Sequence, residues 1–361
     1  MIFCAFVQDY NKITHDLETL GWGTSPKMTR PLETAPSSVW ILTDGKAGDL
    51  AQCTGVADAL NCPCEARLVA PRPPFSWWLP FGPTDPRERE GRPGSPLAPP
   101  YPDIVIASGR RAVGYLRRLK RISRGRTFTV FLKDPRTGAN TADLIWVPEH
   151  DKLRGRNVLA TPTSPHGFPA AKLAKLRAQT VPEIDALNRP RVAVLIGGES
   201  RHHTFTEEDQ NRLLNGLRRI ARDDGAALMI TASRRTPPGL AYGLASLAKS
   251  GGHLYWTGET SNPLGFYLAK ADAIVATADS TNMIGEAAAT GKPVHVFHPS
   301  GGHGKITRFL DTLRQLDVTH PFPGPLKTTT YDPIDATPLI AERILADFAA
   351  SRLQGNAPLA G

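Results

Sequence analysis

Apolar residues along this chain gather into short runs that alternate with stretches of helical period, and the alternation occurs in two blocks. Val39-Trp40-Ile41-Leu42 predicts a strand, and Leu50, Cys53, Val56, Ala57 and Leu60 follow at the spacing of one buried helix face. Asp103 to Ala107 predicts the next strand, followed by a helix rich in arginine, and Phe128 to Leu132 and Leu144 to Val147 predict two more. Residues 165–190 are a mixture of helix pattern and proline. The alternation restarts with the strand Arg191 to Ile196 and a helix whose core face is Leu213, Leu214, Leu217, Ile220 and Ala221. Thr206 is the expected N-cap of that helix, Glu207, Glu208 and Asp209 complement its dipole, and Gly225 ends it. Leu228 to Thr231, His253 to Trp256 and Ala273 to Ala276 complete the strands, with a helix from Leu264 to Lys270. A last helix, capped by Thr337 with Pro338 in its first turn, runs to about Leu353.

Two β-α-β-α blocks predict an α/β protein with two Rossmann-like, doubly wound domains facing a cleft, followed by a C-terminal helix. The expected boundaries are an extension over 1–37, an N-terminal domain over 38–188, a C-terminal domain over 189–330, and a helix and tail over 331–361. Met28 is an alternative start within the extension. Residues 71–101, crowded with proline around Phe75, Trp77 and Trp78, are expected to form an irregular surface loop.

Residues 272–298 carry the strongest chemical signal, because they read as strand, polar turn, helix and second strand. Ser280, Thr281 and Asn282 form the turn into the helix, where free backbone N–H groups and the dipole favour a phosphate. Glu286 follows one turn later, placed to accept hydrogen bonds from two ribose hydroxyls, or else to be a solvated surface residue. Ser233, Arg234 and Arg235 follow another strand, and guanidinium groups there suit diphosphate oxygens. Gly197-Gly198-Glu199-Ser200-Arg201 is the turn after the first strand of the second block.

The length of 361 residues agrees with two domains, and 40% hydrophobic with 21% charged residues is a globular composition. No run approaches the roughly 18 apolar residues needed to span a bilayer. The opening MIFCAFVQDYNK lacks the basic start and long apolar core of a secretory signal, so the expected location is cytoplasmic. Four cysteines without a regular framework fit a reducing compartment. The net charge of +9 favours acidic partners. Much of it lies between Arg110 and Arg126, on the outer face of an amphipathic helix. That face is either solvated or makes peripheral contact with an anionic inner membrane; it lacks the interleaved aromatics of a nucleic-acid site.

Several chemistries are excluded by spacing. Gly291-Lys292 and Gly304-Lys305 are followed by Pro293 and Ile306, so there is no P-loop, and neither G-x-G-x-x-G nor H-E-x-x-H occurs. Gly198-Glu199-Ser200-Arg201 opens like a nucleophile elbow but ends in His202 rather than glycine. The absent dinucleotide fingerprint, and the lack of a Tyr-x-x-x-Lys pair on a helix, also weaken a sugar-nucleotide epimerase. His295, His298 and His303 have no carboxylate or cysteine beside them, and no metal is expected.

The set of motifs DGKAGDLAQ (44–52), SGRRAV (108–113), KDPRTG (133–138), GGES (197–200), SRRTP (233–237) and ADSTNMIGEAAATGKPV (278–294) closely resembles the mitochondrial-fission ELM-type family. Its bacterial members are described as glycosyltransferases or nucleotide-sugar enzymes, and the resemblance covers about Val39 to Ala349. It implies a GT-B-like fold, with a nucleotide-sugar donor held by the C-terminal domain and an acceptor by the N-terminal one. Glu286 then resembles the donor-ribose ligand, Ser280 to Asn282 the diphosphate-binding helix start, and Gly197 and Gly198 the turn that lets the backbone approach the phosphates. Ser200, Ser233, Arg234 and Arg235 complete the expected donor site.

The resulting expectation is a metal-independent glycosyltransferase with no bound cofactor, using a nucleoside-diphosphate sugar on a glycan or lipid-linked acceptor of the cell envelope. Asp44, at the end of the first strand, is the first candidate for the base, with Asp134 and His202 in reserve. The competing expectation is a non-catalytic nucleotide-sugar or membrane-surface binding protein.

Overall fold

Residues 35–355 are described by the computed structural model, and two parallel six-stranded sheets organise them. The first contains β1 (Val39–Thr43), β2 (Cys64–Leu68), β3 (Ile104–Ser108), β4 (Phe128–Leu132), β5 (Leu144–Pro148) and β6 (Val158–Thr161), in the order β2-β1-β3-β4-β5-β6. The chain then supplies β7 (Arg191–Ile196), β8 (His203–Thr204), β9 (Ala227–Ala232), β10 (Leu254–Trp256), β11 (Ala273–Thr277), β12 (Val294–Phe297), β13 (Ser300–Gly301) and β14 (Thr319–Phe322). Six of these form the second sheet, β10-β9-β7-β11-β12-β14, while β8 and β13 make a separate antiparallel pair. The expected extension and Met28 lie almost wholly outside the described residues.

The central strands VWILT, IVIAS, FTVFL and AIVAT are buried along their whole length, as parallel strands covered on both faces must be. Edge strand β2, CEARL, is mostly exposed. Its Arg67 guanidinium lies 3.3 Å from the centre of the Trp40 ring and covers the end of the sheet. Helix Glu207–Asp223 has the expected cap: Thr206 accepts the Asp209 N–H, and the Asp209 carboxylate answers the Thr206 N–H.

The C-terminal helix Ala336–Gly355 returns to the first sheet, where Ile340, Ile344 and Phe348 pack with Val39, Ile41, Val130 and Trp146. Burying each of these three side chains contributes about 2 kcal/mol. Thr337 does not cap this helix. Its hydroxyl, fully buried, bonds the backbone N–H and carbonyl of His166, and the Asp335 carboxylate accepts the Thr337 N–H instead. The segment 71–101 is also more ordered than its prolines imply. It includes a one-turn helix Phe75–Trp78, buries Leu79 and Leu97, and is pinned where Asp85 accepts N–H groups from Arg72 and Arg87.

Candidate functional site

Both sheets reverse their winding direction once, and ligands in such sheets sit beyond the carboxyl ends of the strands at that point. In the first sheet the reversal lies between β1 and β3, which lead into Asp44 and Gly109. In the second it lies between β7 and β11, which lead into Gly197-Gly198 and Ala278-Asp279-Ser280.

Asp279 organises the floor of the second crevice. Its side chain is fully buried; it accepts the Gly198 N–H at 3.0 Å and the Thr277 hydroxyl at 2.6 Å, and Arg235 reaches it at 3.4 Å. Thr277 in turn accepts the Gly197 N–H at 2.8 Å. A Cβ on Gly197 would fall 2.2 Å from the Asp279 carboxylate, and one on Gly198 would fall 2.1 Å from the backbone of Arg235. The glycines are therefore required by packing between two protein turns, and the Gly198 N–H is already committed to a carboxylate. Arg235 also donates to the Glu199 carbonyl at 2.8 Å, and its N–H is accepted by Ser233. Arg234 is exposed.

Helix Thr281–Ala288 starts from this floor. Ser280 caps it by accepting the Met283 N–H, and among the described residues the N–H groups of Thr281 and Asn282 bond no protein acceptor. Ile284, Ala287 and Ala288 face the core, which leaves Asn282 and Glu286, four residues apart, on the other face. Asn282 accepts a hydrogen bond from the Gln52 amide at 3.0 Å. Gly48, one turn earlier on helix Ala47–Ala59, is so close that an added Cβ would lie 3.1 Å from the Asn282 amide. The helix that follows β1 thus meets the helix that follows β11, start to start. Glu286, one turn further along its helix, is half-buried, and burial pushes its carboxyl up to about 7.

Asp44 immediately follows β1, and two residues separate it from helix Ala47–Ala59. Its side chain is 2% exposed, with one oxygen on Lys46 at 2.9 Å and the other buried without a partner. Asp49, in the first turn of the helix, pairs with Lys133 at the end of β4. Gly109, at φ 93°, lies between the carboxylates: a Cβ there would be 3.3 Å from Asp44 and 3.4 Å from Asp49. Lys133 itself adopts φ 83°, a strained conformation for a residue with a side chain. Asp49, Gln52 and Lys133 lie within the motifs DGKAGDLAQ and KDPRTG, but the sequence assigns them no role, because only tertiary contact gives them partners.

The remaining expected residues are distributed more widely. Asp134 is exposed and accepts the Arg136 N–H, the work of a turn residue. Ser200 accepts the N–H groups of His202 and His203 and lies 3.3 Å from the His203 ring. His202 is exposed, its ring centre 4.4 Å from that of His303. His303 and His298 join buried His203 in lining a pocket of about 330 Å³, while His295 points elsewhere and accepts the Lys327 N–H. Burial holds the His203 and His298 imidazoles below their usual pKa. Among the described residues no histidine, cysteine or carboxylate cluster is arranged to hold a metal ion, and no helix is long and apolar enough to cross a membrane.

The UDP-GlcNAc 2-epimerase from Methanocaldococcus jannaschii superposes with a TM-score of 0.51 over 86% of this chain and 98% of that one, at 11% identity. The fold is accordingly GT-B-like. In sequence, the chain is 29% identical over 276 residues to the mitochondrial fission protein ELM1 of Arabidopsis thaliana, an alignment covering 69% of this chain and 64% of the plant protein. An uncharacterized protein of Rickettsia prowazekii is 29% identical over 163 residues, covering 42% of this chain and 45% of that one. The chain spans less than two thirds of the length of either relative. A family model described as mitochondrial fission ELM1 matches residues 47–348, and the chain belongs to that family.

Proposed function

We propose that the chain is a metal-independent glycosyltransferase that takes a nucleoside-diphosphate sugar as donor. The observation that carries this reading is the Gln52–Asn282 contact, which joins two helix starts at the switch points of two sheets. One start offers the free N–H groups of Thr281 and Asn282 to a diphosphate, with Glu286 one turn on for the ribose. The other brings Asp44, with an unpartnered carboxylate oxygen, beside it. Asp44 takes the proton of the acceptor hydroxyl as its oxygen bonds to the anomeric carbon, while the bond from that carbon to the diphosphate oxygen breaks. The departing diphosphate is stabilised by the helix start, with Arg234 free to reach it. Asp49 and Lys133 fix the acceptor-side wall. A glycan or a lipid-linked envelope component is the proposed acceptor.

Titration calorimetry against UDP-, GDP-, ADP-, dTDP- and CMP-sugars tests the donor half. Micromolar binding of one nucleotide sugar, lost in Glu286→Ala, is the expected result, and silence across the panel overturns it. A second reading has specific support, because a GT-B-like fold of matching extent belongs to an epimerase. The lack of a dinucleotide fingerprint does not separate transfer from epimerisation on this fold. Incubation of the bound sugar nucleotide without acceptor, followed by NMR of the sugar, distinguishes them: an epimer at C2 favours the second reading. Binding without any turnover leaves the non-catalytic binding protein.

A further inference from the structure

The segment after β2 presents a feature that the donor cleft does not use. Trp77, Trp78 and Phe81 are 71%, 54% and 74% exposed, three large aromatic side chains within five positions. Water-exposed rings at this density are costly on an isolated surface, and rings of this kind, above all tryptophan, favour the boundary between water and lipid. The backbone that carries them is held firmly. Leu79, between them, is buried, and it packs against the arginine-rich helix Ala112–Ile122 so closely that a Cβ on Gly114 would lie 3.2 Å from it.

That packing sets the rings beside a cluster of cations. Phe81, Gly82, Pro83 and Thr84 form one wall of a pocket of about 280 Å³, and Arg89, Arg117, Arg118 and Arg121 line the other. Arg118 is taken by Glu90 through bonds of 2.8 and 2.6 Å, and Arg117 makes only a long contact to the Thr137 carbonyl at 3.4 Å. Among the described residues no carboxylate pairs with Arg89, Arg117 or Arg121. Nearby acids are otherwise engaged: Glu88 accepts from Tyr115 and from the Ala70 N–H, and Asp85 from the Arg72 and Arg87 N–H groups. Exposed Arg110, Arg111, Arg124 and Arg126 add further positive charge at the two ends of the helix.

We propose that Trp77, Trp78 and Phe81, with the Arg89, Arg117 and Arg121 pocket, form a docking surface for an anionic lipid bilayer. The rings enter the interfacial layer, and the unpaired guanidinium groups bind headgroup phosphates beside them. Charge complementarity selects this occupant: an exposed apolar tip backed by unpaired arginines matches a surface that is apolar within and anionic at its rim. The contact is peripheral and reversible. It is independent of the donor reading, because binding to vesicles needs no nucleotide.

The test is sedimentation of the full chain with vesicles of phosphatidylcholine alone or mixed with phosphatidylglycerol, alongside tryptophan quenching by brominated acyl chains. The expected result is binding to the anionic vesicles, with quenched emission. Trp77→Ser/Trp78→Ser/Phe81→Ser lowers the partition coefficient tenfold or more, and each of Arg89→Gln and Arg121→Gln lowers it about fivefold. Trp77→Phe/Trp78→Phe retains most of the binding and loses most of the quenching, a result that does not depend on the triple variant folding. Equal binding to neutral and anionic vesicles overturns the proposal, as does unchanged binding by a folded triple variant. Failure of the wild type to bind, with a dimer that dissociates on the triple substitution, assigns the surface to a second copy of the chain instead.

Discussion

Replacing Glu286 by glutamine separates the cost of burying a carboxylate from the use to which it is put. Burial alone raises this carboxyl from the ordinary glutamate value of 4.5 to about 7. Between those values the folded chain binds more protons than the unfolded one, so stability falls as pH rises through the window. The full gap corresponds to at most about 3 kcal/mol, and partial solvent contact reduces it. Glu286→Gln removes the penalty: urea unfolding should show the variant more stable by about 1–3 kcal/mol at pH 8 and equal to the wild type near pH 4. Binding should move the other way. A carboxylate accepting two ribose hydroxyls contributes two charge-assisted hydrogen bonds of about 1.5 kcal/mol each, so nucleotide affinity should drop about 100-fold in the variant. Because only the ionised form accepts both, wild-type affinity should also fall roughly tenfold for each pH unit below 7. Calorimetry in buffers of different ionisation enthalpy should detect proton release on binding. Affinity that stays flat from pH 5.5 to 8 and is unchanged in Glu286→Gln would refute the ribose role, whereas a pH-independent stability difference would refute the burial argument.

Three further outcomes follow from the geometry. Gly198→Ala forces a Cβ to within 2.1 Å of the Arg235 backbone, and it should cost about 2–4 kcal/mol in denaturant unfolding while abolishing nucleotide binding. Burial of Asp209 pushes its carboxyl up, but hydrogen bonds from Ser300, Arg212 and Thr206 outweigh it and hold the group well below the usual carboxylate range. Asp209→Asn should therefore cost about 2 kcal/mol at pH 7, a difference that shrinks in acid as the wild-type carboxylate protonates. Lys133→Met leaves Asp49 buried without its cation and should cost about 1–3 kcal/mol, part of which Lys133→Met/Asp49→Asn recovers; a double-mutant cycle by urea unfolding measures the coupling.

The part of the candidate site around helix Thr281–Ala288 was legible as one unit because its residues are close in sequence. A strand, a polar turn and a helix within 272–298 fix Ser280, Asn282 and Glu286 relative to one another whatever surrounds them. The part around Asp44 and helix Ala47–Ala59 was only partly legible. Asp44 ends a recognisable strand, but the partner of Asp49 is 84 positions away and that of Gln52 is 230 away, distances over which periodicity carries no information. The histidines His295 and His298, near in sequence, part company for a related reason. His295 lies within β12 and His298 just past its end, and an odd separation along extended backbone sends the two side chains to opposite sides.

The same division holds for the fold. Unbroken apolar runs such as Val39 to Leu42, Val192 to Ile196 and Ala273 to Ala276 determined the central strands, because a strand covered on both faces tolerates little else. Local chemistry also determined the Thr206 cap. Edge strands β2 and β14, with the sequences CEARL and THPF, carry no such run, since one side of each faces solvent or a loop rather than another strand. The return of the last helix to the first sheet, and the loss of Thr337 from its cap to the His166 backbone, depended on contacts 171 residues apart. Sequence thus determined the central strands and the longer helices, since those are settled by burial within a few residues. Tertiary structure alone decided which helix starts meet and which charges are paired, because those energies exist only once distant segments have excluded water between them.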